Sequence, residues 1–155
     1  MIDQHKVFLR IALELAKLSK CQSYQVAALF VRDGRIISTG INGSPSGCKN
    51  CCEVFDKSTV KQTDIRTKHV DFSNTTEIHA EENGIIQAAY YGISLKDSVL
   101  YCTLEPCGGC LKKLIALKIK EIYYFEKYDR MTYNEYQLDM IERSKIKLIN
   151  IDNLD

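Results

Sequence analysis

Val7, Phe8, Ile11, Leu15 and Leu18 recur three and four residues apart, and this spacing predicts an amphipathic helix over 4–19 with one face turned to a core. Two β-rich runs follow, "VAALFV" (26–31) and "RIISTGI" (35–41). They flank Asp33-Gly34, a dipeptide that suits a type I′ turn, so a hairpin is predicted. Residues 42–75 are rich in Asn, Ser, Gly, Cys and charge, with little periodicity, and read as a long loop that is functional or locally tied down. "TEIHAEENGIIQAAYY" (76–91) reads as a helix stopped by Gly92. "SVLYCTL" (98–104) reads as a strand, with Pro106 opening a helix through "CLKKLIALK" (110–118). "EIYYF" (121–125) is the next strand, 133–144 a helix and "KIKLINI" (145–151) a last strand. Strands separated by helices can run parallel, which predicts a five-stranded mixed sheet with helices on both faces, a three-layer α/β/α domain over 1–155.

Charge narrows the function. Lys and Arg number 21 against 20 Asp and Glu, a net charge of +1. The basic excess of a nucleic-acid binder is missing, and a small charged substrate fits better. No apolar run approaches a membrane span, and the charged N-terminus does not read as a signal peptide. A cytoplasmic, reducing setting follows. The seven cysteines, an odd number, then point to metal or catalysis rather than a disulfide framework.

Two of them stand in "TLEPCGGC" (103–110), and 28 residues before Cys107 comes "HAE" (79–81). One imidazole and two thiolates from His79, Cys107 and Cys110 make three zinc ligands, which leaves a fourth position for chemistry. A water held there becomes acidic enough to supply hydroxide near neutral pH. Glu81 can move protons without being a ligand. Residues i and i+2 converge only around the end of a helix, so His79 must lie in the first turn, with Thr76 as a possible N-cap. The plain alternatives are a core histidine and a redox dithiol.

H-x-E followed by P-C-x-x-C resembles the zinc nucleobase deaminase signature. Residues 19–52, "EIHAEENGI" (77–85) and "YFEKYD" (124–129) resemble the deoxycytidylate deaminases, the phage-type enzymes in particular, and include the N-G-x-P-x-G loop at 42–47. The resemblance implies a cytidine-deaminase-like fold and conversion of dCMP to dUMP, with His79, Cys107 and Cys110 on the catalytic zinc and Glu81 as proton shuttle. It further implies that Asn42, Ala80 (through its N–H), Thr103, Glu105 and Tyr128 contact the substrate. Three departures stand out: Gly84 where H-A-E-x-N-A-I has alanine, Gly108 where P-C-P-x-C is common, and Ile41 where a tyrosine often precedes N-G. Phage-type members also carry a second, structural zinc, whose ligands here would be Cys21, Cys51, His69 and Glu77, with Cys48 and Cys52 as rivals. The family's homohexamers, activated by dCTP and inhibited by dTTP, imply an effector site; Gly43 and Gly47 could admit a triphosphate with Mg²⁺. A deaminase acting on tRNA adenosine and a non-catalytic zinc module are the alternative readings.

Overall fold

The computed structural model describes residues 1–129 and 132–155. Helix α1 (Gln4–Ala16) starts at Asp3, whose carboxylate accepts the His5 N–H, and it stops three residues short of the span the periodicity predicts. Strands β1 (Ala27–Arg32) and β2 (Arg35–Ile41) form the expected hairpin, with Asp33 and Gly34 at φ 52° and 71°. Phe30 faces Ser38 while Val31 faces Ile36, so Ile37 is the extra residue of a β-bulge.

The polar stretch after the hairpin departs from expectation. It contains α2 (Cys51–Val54) and a full helix, α3 (Thr63–Thr76). The sequence hides α3 because it has no apolar stripe: His69 is its single buried residue. Its anchorage is aromatic instead, Phe55 standing edge-on to both His69 and Phe72. Thr76 therefore closes α3 and does not cap the next helix. Helix α4 (Ala80–Tyr91) starts later than predicted, with His79 as its N-cap, and ends at Gly92 in the left-handed region.

Strand β3 (Val99–Leu104) leads to α5 (Gly108–Ala116), N-capped by Cys107, so Pro106 lies just outside the helix it was expected to open. Strand β4 (Glu121–Glu126), helix α6 (Glu135–Ser144) and strand β5 (Lys147–Asn150) complete the order. The sheet runs β2-β1-β3-β4-β5; β1 is antiparallel to β2 and β3, while β3, β4 and β5 are parallel. Alternation along β1 divides the core. Leu29 and Val31 meet Leu9 and Ala12 of α1, whereas Ala28 and Phe30 share the other face with Ala88 of α4 and with Leu111 and Leu114 of α5. This is the three-layer arrangement the element order predicts.

Two glycines bring α4 onto the sheet. A Cβ on Gly40 of β2 would lie 1.9 Å from the Ala80 carbonyl oxygen, and one on Gly84 would lie 2.4 Å from the Phe30 ring. The Asn83 amide closes the same contact by donating to the Ile41 carbonyl at 2.6 Å. The first turn of α4 is thereby pinned against the end of β2.

Candidate active site

Two chain reversals meet at this place. His79, extended at the N-cap of α4, turns its ring toward the start of α5, where Cys107 is the cap and Cys110 lies in the first turn. His79 Nδ1 is 3.4 Å from Cys107 Sγ and 3.4 Å from Cys110 Sγ. For one tetrahedral zinc, bond lengths near 2.1 Å to nitrogen and 2.3 Å to sulfur put such donors about 3.5 Å apart. The donor set and its spacing fit zinc. The two thiols are hydrogen-bonded neighbours. The hydrogen bond from Cys110, helped by His79, lowers the Cys107 pKa to about 4, while the same bond and burial push Cys110 well up.

Glu81, two residues after the cap, is 4% exposed. The bend at the helix start achieves the i, i+2 convergence that a continuous helix would forbid. Burial raises the Glu81 carboxyl pKa, and the neighbouring Cys102 thiol is itself kept protonated by burial. Glu82, on the face shared with His79 in a regular helix, instead pairs with Lys113. The Ala80 N–H belongs to the first turn of α4, where amides have no intrahelical partner.

His79, Ala80, Glu81 and Cys107 line a cavity of about 590 Å³, counting the space open to solvent. Its other walls include Asn42, Glu105 and Tyr128, three of the residues expected at the substrate. Glu105 accepts the Tyr128 N–H at 3.2 Å, which fixes the turn after β4. Asn42 is heavily committed to the scaffold. Its Oδ1 accepts from Ser19 Oγ (2.7 Å) and the Val26 N–H (2.9 Å), and its Nδ2 donates to the Tyr24 carbonyl (2.8 Å). One Nδ2 hydrogen is left for a ligand. Thr103 is buried, accepts the Ala27 N–H at 3.1 Å and is not on the cavity wall, where its neighbour Leu104 stands. Sequence reasoning missed Tyr24, whose ring stands edge-on to Tyr128 with centroids 6.2 Å apart. Its position three residues after Cys21, at the start of the hairpin, was the available signal.

A second donor group lies on the same cavity. The ligand atoms of Cys21, Cys51 and His69 are all within 4.8 Å of one another. Cys21 Sγ is 3.7 Å from His69 Nε2 and 3.5 Å from Glu77 Oε2. Glu77 Oε1 is buried without a hydrogen-bond partner, an orphan that a cation would satisfy. Burial raises the Cys21 pKa to about 12, raises that of Cys51 and lowers that of His69. Metal ligation uses a neutral imidazole and thiolates; burial already favours the first at His69, and a bound cation would have to draw the protons from Cys21 and Cys51. Cys48 and Cys52 are exposed and stand outside this group. Gly43 exchanges two hydrogen bonds with Ile78, and Gly47 has φ 84°; both have open space where a side chain would be.

Comparison with known proteins agrees with this geometry. The cytidine and deoxycytidylate deaminase zinc-binding region matches residues 2–126. The deoxycytidylate deaminase of Enterobacteria phage T4 is 37% identical over 149 aligned positions, covering 79% of this chain and 77% of the relative. That of Enterobacteria phage T2 is 35% identical over 175 positions, covering 95% and 92%. The crystal structure of dCMP deaminase from cyanophage S-TIM5, in complex with dCMP and dUMP, superposes with a TM-score of 0.73 at 29% identity, over 94% of each chain. No helix among the described residues is long and apolar enough to cross a membrane.

Proposed function

The chain belongs to the cytidine and deoxycytidylate deaminase family, and from that premise we propose that it hydrolyses dCMP to dUMP and ammonia as one domain over 1–155. The observation that carries this reading is the convergence of His79, Cys107 and Cys110 beside a buried Glu81, with His79, Glu81 and Cys107 lining one cavity. His79, Cys107 and Cys110 would hold zinc, which supplies the Lewis acidity that makes hydroxide available near neutral pH.

The chain's own groups do the rest. The Ala80 N–H, in the first turn of α4, would donate to the cytosine carbonyl and so fix the ring with C4 toward the donor set. Glu81 takes one proton from the attacking water and passes it to cytosine N3; it then takes the second, from the hydroxyl now on C4, and gives it to the amine, so that the C4–N bond breaks, ammonia leaves and the C4 carbonyl forms. A carboxyl raised by burial suits both directions of transfer at neutral pH. Tyr24 and Tyr128 bound the cavity, and Glu105 holds Tyr128 in place.

The cluster of Cys21, Cys51, His69 and Glu77 would hold a second, structural zinc; the orphaned Glu77 Oε1 supports this reading. It would tie α2 and α3 to the start of the hairpin. The reading further includes a cytoplasmic homohexamer activated by dCTP and inhibited by dTTP with Mg²⁺, the open backbone at Gly43 and Gly47 offering a place for a triphosphate. Sigmoidal dCMP kinetics made hyperbolic by Mg-dCTP test the regulation; kinetics indifferent to both nucleotides in hexameric protein would refute it.

Ammonia release from dCMP, CMP, deoxycytidine and dCTP, measured side by side, tests the activity. Glu81→Ala should keep its zinc and lose about 10²–10⁴-fold in turnover or more. A zinc-loaded E81A protein with near-normal turnover would overturn the assignment.

A further inference from the structure

A substrate nucleotide brings a phosphate monoester, whose charge at neutral pH is about −1.5 to −2. The described part of the cavity wall is ill suited to it. It carries Glu77, Glu81 and Glu105 and neither lysine nor arginine. Desolvating a dianion beside carboxylates without a cation would work against binding.

Among the described residues, Lys61 reaches the ring of one wall residue. Lys61 Nζ lies 5.8 Å from the centroid of the Tyr24 ring, and Tyr24 is itself a wall residue that stands edge-on to Tyr128. The backbone on either side of Lys61 is held. Val60, 1% exposed, anchors the turn from below, with its N–H on the Asp56 carbonyl at 2.9 Å, and the Gln62 N–H closes on the Thr59 carbonyl at 2.8 Å. Lys61 itself has no carboxylate partner among the described residues. Lys113 is already engaged by Glu82, and Lys127 lines an adjoining cavity that shares Tyr24 and Leu104 with this one. A cation–π contact of this exposed kind is weak, so the ammonium can turn to an arriving anion at little cost.

We propose that Lys61 is the cation that binds the 5′-phosphate, and so makes the site select a nucleoside monophosphate over the bare nucleoside. The inference rests on the deaminase reading. It concerns an interaction that chemistry at C4 leaves unchanged, because substrate and product carry the same phosphate. Lys61 therefore acts on the affinity for both.

The test compares dUMP and deoxyuridine binding by calorimetry, alongside dCMP kinetics, for the wild type, Lys61→Ala, Lys61→Glu and Lys61→Arg. Removing one hydrogen bond to a charged group is expected to cut the dUMP-over-deoxyuridine affinity ratio about 10- to 100-fold and to raise the KM for dCMP comparably. K61E should lose more, and K61R should recover most of the ratio. An unchanged ratio in K61A, with melting and zinc content as in the wild type, would overturn the inference. Should K61A fold poorly, Lys61→Gln keeps the aliphatic stem and carries the same expectation. A wild type that neither binds dUMP nor releases ammonia from dCMP would instead overturn the deaminase reading.

Discussion

Gly84→Ala puts the packing behind the active site to a quantitative test. By helix propensity the substitution should stabilise, since glycine inside a helix costs about 1 kcal/mol relative to alanine. The structure predicts the opposite sign. The new Cβ would sit 2.4 Å from Phe30 Cε2 and 3.0 Å from Cδ2, against about 3.5–4.0 Å for comfortable carbon contact. Phe30 is 0% exposed, and so its ring has nowhere to retreat. Forcing a methyl group into such a core costs about 1–3 kcal/mol. The net expectation is a loss of up to about 2 kcal/mol, or roughly 2–4 °C of melting temperature per kcal/mol for a chain of this size. Shortening the opposing ring should reverse the sign. In a Phe30→Leu background, Gly84→Ala should regain the propensity term of about 1 kcal/mol, giving a coupling of about 1–3 kcal/mol in a double-mutant cycle by urea denaturation. A rise in melting temperature for G84A alone, or additive behaviour in the cycle, would refute the reasoning.

Other expectations address the metals and the scaffold. Metal analysis of zinc-replete protein should give two zincs per chain, and Cys51→Ser should give one with the catalytic ion retained; one zinc in the replete wild type would refute the second site. In zinc-stripped protein, iodoacetamide should label Cys107 well below pH 7, since its thiolate persists down to about pH 4 and disappears as the pH falls through that value, and zinc should block labelling. Equal labelling of Cys107 and Cys110 across that range would contradict the opposite shifts of the two thiols. Asn42→Ala should destabilise by about 2–4 kcal/mol in urea, because Ser19, the Val26 N–H and the Tyr24 carbonyl all lose a partner; a loss confined to activity would show that the side chain serves the ligand alone.

Where local chemistry and tertiary packing agree, the sequence was readable. Asp33-Gly34 takes the positive φ its hairpin requires, and the apolar runs of β1, β3 and β4 are buried strands. The donors His79, Cys107 and Cys110 meet because the helices bearing them start at one end of the sheet. Helix α3 was not readable, for it is stabilised by the aromatic contacts of Phe55 and by donors that converge from distant positions, neither of which leaves a periodic trace. The boundary between α3 and α4 was lost for the same reason, and with it the role of His79 as its own helix's cap. Gly84 looked like a defect in a helix until Phe30 was found opposite it. Thr103, which the resemblance puts at the substrate, accepts the Ala27 N–H of the neighbouring strand with its hydroxyl, a tertiary partner that nothing in the local sequence signals.

The paired hydrogen bonds between Gly43 and Ile78, at 3.1 and 2.9 Å, close the chain on itself at the two ends of the segment that carries α2 and α3. That segment leaves and rejoins the scaffold at one point, with Asn42 on one side of the clasp and His79 on the other. Such a closed excursion is modular. Its length enters only through a slowly growing closure entropy, about 0.6 kcal/mol per doubling. It can be lengthened at exposed turns away from Cys51, Lys61, His69 and Glu77 while the clasp keeps the catalytic frame in register. For protein engineering, the place to graft a new recognition element onto this enzyme is therefore between Gly43 and Ile78, where the scaffold already supplies both anchor points.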